Sequence, residues 1–306
     1  MLKHFLRILV IVLALLCMLV LIPSGTIVAN AEIIQYALED KKAVAPQADG
    51  YGADGLSYTD PSITVTISKG RVNETNYMVA RVKVANATQI RTVMSGGYYS
   101  DDTHLGATLA RNANAVLAIN GDFFSDPNRR GIGYTVRMGK EYKNKCNATY
   151  DVMAMDDQGD MYILQAPDKE KMELFVSELE DEGRTVVNGF TFGPGLVING
   201  ERQTGFPDMN NAANRPAQRM CLAQVGKLEY LCICTEGPED PGSEGMTLEQ
   251  FAEFVATFEG IRHAYNLDGG SSSTMVFNRD KINSPRNPKK RPLKDVICFV
   301  SAYQAE

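Results

Sequence analysis

Apolar and polar residues alternate along two early stretches of the chain. Ile63, Val65 and Ile67 are separated by Thr64, Thr66 and Ser68, and residues 78–84 repeat the pattern. A period of two sends successive side chains to opposite faces, so both stretches are predicted to be half-buried strands. Residues 103–112 suit a short helix, with Leu105 and Leu109 on one face, leading into an apolar strand over 115–119. Further strands are expected at 133–138 and 150–155. Between 169 and 182, Met172, Phe175, Val176 and Leu179 recur at helical spacing.

The second half is more sharply punctuated. Asn199-Gly200 follows Leu196-Val197-Ile198 and carries the signature of a tight type I′ hairpin. Residues 220–225 and 228–235 read as a second hairpin around Gly226-Lys227. Thr247 and Gln250 form a capping box ahead of the stripe Leu248, Phe251, Phe254, Val255 and Phe258, with Gly260 as the stop. That helix feeds a strand ending near Asp268. Many short strands with a few helices, and neither an internal repeat nor a dinucleotide fingerprint, indicate an α+β fold of mixed, largely antiparallel sheets in a single domain.

The N-terminus follows a different pattern. Lys3 and Arg7 precede an apolar run over 8–22, and Ala29-Asn30-Ala31 offers the small residues a signal peptidase reads. Residues 1–31 are expected to be an export signal. An uncleaved membrane anchor is the alternative, since 5–22 approaches the roughly 20 apolar residues of a bilayer span. Either reading places the rest outside the cytoplasm, extracellular or at the cell surface. Residues 32–56 mix charge, Pro, Gly and Ala without a period and read as a linker, leaving 57–306 as the folded domain.

Composition narrows the partners. The 306 residues carry a net charge of −6, and loss of Lys3 and Arg7 with the signal makes it −8, which argues against a nucleic-acid partner. The segment 279–294 is locally basic, with seven Lys and Arg against Asp280, and reads as a solvated loop or as a patch for an anionic polymer. Five cysteines remain beyond Cys17 without regular spacing, so buried free thiols are expected. Glu236, Glu239, Asp240 and Glu244 form an acidic loop that faces solvent or binds a cation.

Two loops share a grammar of apolar strand, asparagine, then carboxylate beside glycine: Asn120-Gly121-Asp122-Phe123-Phe124 and Asn266-Leu267-Asp268-Gly269-Gly270. Glycines let the backbone approach a ligand, and the N–H groups and hydroxyls of Gly269, Gly270, Ser271 and Ser272 suit phosphate or sugar oxygens. A plain strand–turn–strand corner capped by Asp268 is the alternative.

Together with the Arg219 strand, Phe192-Gly193-Pro194-Gly195-Leu196 and Gly245-Met246-Thr247-Leu248, these loops resemble the phosphodiester glycosidase family over roughly 105–299. Ser271 stands where the family often has a third glycine, and Asp122 where it has a small residue. The resemblance implies hydrolysis of the glycosidic C–O bond of sugar-1-phosphodiesters, of the N-acetylglucosamine-1-phosphate type or a related linkage in a wall polymer or exopolysaccharide. A phosphomonoester, with a second pKa near 6, is a good leaving group. The chemistry then reduces to stabilising an oxocarbenium-like centre, delivering water and neutralising phosphate.

On that reading Asp268 is nucleophile or base, Arg219 is a phosphate clamp, and 269–272 form an anion nest. Asn120, Gly121 and Asn266 belong to the substrate-binding set, the asparagines orienting sugar or water. Asp122 is a second acid/base or a cation ligand. No cofactor is required by this chemistry, though a divalent cation such as calcium stays open. The competing readings are a non-catalytic wall-glycan-binding protein and a metal-dependent phosphodiesterase that cleaves P–O.

Overall fold

A computed structural model describes residues 32–125, 130–209, 211–286 and 290–305. The chain divides into two units, of which Ile33–Tyr303 is the folded body; residues 1–31, the predicted export segment, lie outside the described residues. Among the described residues no helix is long and apolar enough to cross a membrane.

Among the described residues three larger sheets, one two-stranded sheet and three α-helices build the body. The alternation at 63–84 becomes a long hairpin, Ile63–Val72 paired with Thr75–Val84, whose first strand buries every second residue through Ile67. The hairpin enters an eight-stranded sheet that continues through Glu229–Thr235, Met220–Gly226, His263–Asn266 and Gly195–Ile198. A five-stranded sheet centres on Ala115–Asn120, flanked by Met275–Phe277 and Asp295–Val300. A second five-stranded sheet carries Val152–Asp156, Val186–Thr191 and Thr135–Arg137. Every strand register among the described residues is antiparallel, so the sheets are less mixed than the sequence implies.

Local signals place most elements. Asn199 and Gly200 both take positive φ, as a type I′ turn needs, and Thr247 and Gln250 close a reciprocal capping box on helix Leu248–Val255. That helix stops well before Gly260, whose φ of 80° serves the following turn instead. Its stripe covers one face of the eight-stranded sheet, packing Phe251 and Val255 against Cys221, Ala223 and Ile233. The opposite face joins Met220, Leu222 and Tyr265 to Leu117, Ile119 and Ile297 of the five-stranded sheet. This shared core holds the ends of strands from two sheets together.

Residues 33–56 are not a linker. Tyr36 and Ala43 are buried against Ala113, Ala115 and Val300, and the Tyr36 hydroxyl donates to Ser301 O at 2.6 Å. Two small anchors among polar residues leave no periodic signal in sequence, yet they tie the segment down. The five described cysteines are free thiols, four of them buried.

Candidate active site

The two loops with a common grammar meet. Asn120 ends one strand and Asn266 another, and the Asn120 side chain stitches the loops: Nδ2 donates to Asp268 O at 2.8 Å and Oδ1 accepts from Thr274 N at 3.0 Å. A third strand, Asp295–Val300, lies beside the first with Val296 opposite Asn120, and brings Asp295 over Gly121. A Cβ on Gly121 would stand 2.4 Å from Asp295 Oδ1, so only glycine fits under that carboxylate. Asp122 N donates to the same oxygen at 3.0 Å.

Asp122 and Asp295 share one guanidinium. Arg137, at the end of strand Thr135–Arg137, reaches Asp295 Oδ2 at 2.8 Å and Asp122 Oδ2 at 3.3 Å; both ion pairs are almost wholly buried. Its Nη1 donates to the carbonyls of Val136 and Gly189, and its planar group lies 3.9 Å from the centre of the Phe190 ring. Two carboxylates facing one cation leave a surplus negative charge in a desolvated place. Burial accordingly pushes Asp122 up to about 7 despite the opposing pull of Arg137, with the charge of Asp295 adding to the rise. Asp295 is raised by the same burial, again against Arg137.

Asp268 is held differently. It is half-buried, and its carboxyl accepts hydrogen bonds from the Ser272 hydroxyl and the Gly269 N–H. Desolvation raises it to about 6, while these two donors and the charge of Arg291 pull it down. Asn120, Asp122, Phe124, Asp268, Ser272 and Asp295 line one cleft with a free volume of about 30 Å³, whose remaining wall is the segment 291–294. That space holds a water and no sugar ring, so a substrate must lie across the mouth. A larger cavity of about 490 Å³, lined in part by Lys69, Tyr77, Glu236 and Arg286, contains none of these aspartates; the clustered carboxylates, not the volume, mark the site.

The sequence profile described as phosphodiester glycosidase matches residues 113–300, from the strand that delivers Asn120 to the strand that begins at Asp295. The chain belongs to the phosphodiester glycosidase family. Among solved structures it is similar to the catalytic domain of zebrafish N-acetylglucosamine-1-phosphodiester α-N-acetylglucosaminidase auto-inhibited by its pro-peptide. The match has a TM-score of 0.63 at 17% identity and covers 85% of this chain and 87% of that one. A hypothetical protein from Synechocystis is similar with a TM-score of 0.52 at 15% identity, over 78% of this chain and 62% of the other. No curated protein matches by sequence.

Several of the residues expected at this site do other work than the sequence suggests. Arg219 is not a phosphate clamp. Its guanidinium is buried and donates to four main-chain carbonyls, Met246 O at 2.9 Å, Asn211 O at 2.7 Å, and Ala212 O and Arg215 O at 2.8 Å each. Burial among these neutral acceptors lowers it to about 10. The fork that would grip phosphate instead folds 211–215 against the sheet.

The anion nest is likewise already filled. Gly270 N donates to Gln218 O at 2.8 Å, Ser272 N to Gly269 O at 3.1 Å, and the Gly269 N–H serves Asp268. Gly269 is glycine because a Cβ would stand 2.6 Å from Gln218 O, and Gly270 because its φ is 55°. Of the four, the exposed Ser271 stays open to a ligand. Asn266 is buried and donates to Gly193 O at 2.8 Å, and with Asn120 it braces the backbone of the two loops.

Asp122 as a cation ligand gives way to an ion pair, since Arg137 stands where that cation would. Among the described residues no group of three His, Cys, Asp or Glu side chains is arranged to hold a metal. The acidic loop is only half solvated. Glu239 and Glu244 are exposed, but Glu236 is buried and accepts from Asn76 Nδ2 and Ser243 Oγ, and Asp240 accepts from Gln218 Nε2 at 2.6 Å.

Arg137 and Asp295 are the residues that sequence reasoning missed. Asp295 opens the apolar run 296–300 just as Asp268 closes one, a mirrored signal that was available in the sequence. Arg137 has no such signal.

Proposed function

We propose that the protein is an exported hydrolase cleaving the glycosidic C–O bond of sugar-1-phosphodiesters, of the N-acetylglucosamine-1-phosphate type or a related linkage in a wall polymer or exopolysaccharide. One observation carries this reading: Asp268 is a half-buried carboxylate, raised to about 6, on the wall of a water-sized cleft in a chain of the phosphodiester glycosidase family. Export is supported by the apolar run 8–22 and by Ala29-Asn30-Ala31.

In the reaction the bond from the anomeric carbon to the phosphate oxygen breaks, and its electron pair leaves with the oxygen. Asp268, ionised above about pH 6, takes the proton of the attacking water as base, or bonds the anomeric carbon itself as nucleophile. The Ser272 hydroxyl and Gly269 N–H aim the carboxylate. Asp122, whose carboxyl burial raises against the pull of Arg137, is the second acid/base on the cleft wall. A departing phosphomonoester needs little protonation, so this role is secondary.

Turnover of N-acetyl-α-glucosamine 1-phosphodiesters and wall-polymer fragments in oxygen-18 water tests the reading. Label in the sugar is expected. Label in the phosphate would mean P–O cleavage, and binding without turnover would mean a glycan-binding protein.

A further inference from the structure

The cations already described have their donors committed. Arg137 is paired with two carboxylates and Arg219 with four carbonyls. Lys294, on the cleft wall, donates to Ser95 O at 2.9 Å, to Ser100 O, and to Asp102 O at 3.4 Å.

Arg291 differs. It lines the same cleft as Asp268 and Ser272 and is exposed, and its one hydrogen-bond contact among the described residues is a long one to Ser271 Oγ at 3.5 Å. Exposure here does not mean a loose attachment. Pro292 restricts the backbone of Arg291 to extended conformations. Leu293 is buried and exchanges main-chain hydrogen bonds with His104 at 2.8 and 3.1 Å, and Lys294 and Asp295 are pinned beyond it. A guanidinium with donors to spare is thus mounted on an anchored segment at the mouth of the cleft.

We propose that Arg291, with the Ser271 hydroxyl beside it, forms the anion subsite that holds the phosphate of the substrate. This takes the phosphodiester glycosidase reading as its starting point. The diester carries one negative charge; when the anomeric C–O bond breaks, the electron pair stays on the phosphate oxygen and the charge becomes two. The new bond joins the water oxygen to the anomeric carbon, and the water proton passes to a carboxylate and on to solvent. Arg291 therefore holds the departing group more strongly than the substrate and accelerates the chemical step, beyond any effect on binding. The cleft is too small for a sugar ring, which puts the phosphodiester at the mouth, where Arg291 stands.

Arg291→Ala and Arg291→Lys, compared with the wild type, test this. Titration calorimetry uses inorganic phosphate, N-acetylglucosamine 1-phosphate and free N-acetylglucosamine; kinetics use a methyl diester of N-acetylglucosamine 1-phosphate. Arg291→Ala should bind both phosphates about tenfold more weakly while keeping its affinity for the free sugar and its melting temperature, and should lose about a hundredfold in kcat/KM, mostly in kcat. Lysine should recover part of the affinity and less of kcat, because it lacks the fork.

Phosphate affinity in Arg291→Ala equal to that of the wild type, or a wild type that binds neither phosphate, overturns the subsite. The binding arm separates the two readings. Phosphate binding through Arg291 in a wild type without turnover would sink the glycosidase and spare the subsite. Turnover that survives Arg291→Ala undiminished would do the reverse.

Discussion

Asn120-Gly121-Asp122 and Asn266-Leu267-Asp268 are the same motif twice, and the fold treats them in opposite ways. Both put a carboxylate just past an apolar strand, and both asparagines donate to main-chain carbonyls. Asp122 is enclosed and meets a guanidinium directly, together with the Thr191 N–H at 2.9 Å. Asp268 keeps partial exposure and neutral donors, with a guanidinium only at the mouth. Asp122 is tied to a counter-charge, whereas Asp268 is held by neutral donors and is the better placed of the two to react. The chemistry of a strand-end aspartate is set by its partner, not by its motif.

The sharpest break in the comparison is the paired substitution of the two aspartates by asparagine. Asp268→Asn should lower kcat by about 10²–10⁴-fold with the fold intact, because the swap keeps the acceptor oxygen and removes the base. Asp122→Asn should register in thermal stability as well as in kcat. Wild-type kcat in a folded Asp268→Asn protein would end the catalytic assignment.

Arg137→Met sharpens it next. Removing the guanidinium leaves Asp122 and Asp295 buried without a counter-charge, at a cost of about 3–5 kcal/mol read from urea denaturation. Adding Asp122→Asn to that variant should restore part of the loss. A denaturation midpoint unchanged by Arg137→Met would show that the buried pairs do not hold this corner together.

The smallest effect concerns pH and stability. Asp268 stands at about 6 in the folded protein against an ordinary 3.8. A carboxyl raised on folding contributes stability that is complete below the ordinary value and is lost as pH rises through the folded one. Between pH 4 and pH 6.5 the wild type should therefore lose about 1 kcal/mol that Asp268→Asn keeps, a figure reduced for the partial exposure of the group. Melting curves of the two proteins that run parallel across this window would contradict the raised value.

Much of this fold is legible from short stretches of sequence. The alternation at 63–68, the Asn199-Gly200 turn and the Thr247/Gln250 box each depend on contacts within about ten residues, and each appears where expected. The long hairpin turns at Asn73 and Glu74, both at positive φ without a glycine to announce it, and so its extent went unread. In the site, sequence pointed to Asp268 and Asp122 because a carboxylate ending an apolar strand is a local event. It misread Arg219 and overlooked Arg137, since a lone arginine in a strand looks the same whether its partners are carbonyls or carboxylates.

By itself, then, the sequence determined the strands, the helices and the two loops that carry the aspartates, because hydrophobic period and turn chemistry act between near neighbours. Tertiary structure decided which charge faces which. Arg137 finds Asp295 158 residues away, Arg219 spends its donors on the carbonyls of a folded loop, and Arg291 comes to line one cleft with Asp268 only when the strand beginning at Asp295 aligns with the one ending at Asn120. Desolvating an ion is costly enough that its partners govern its chemistry, and sheet packing alone selects those partners.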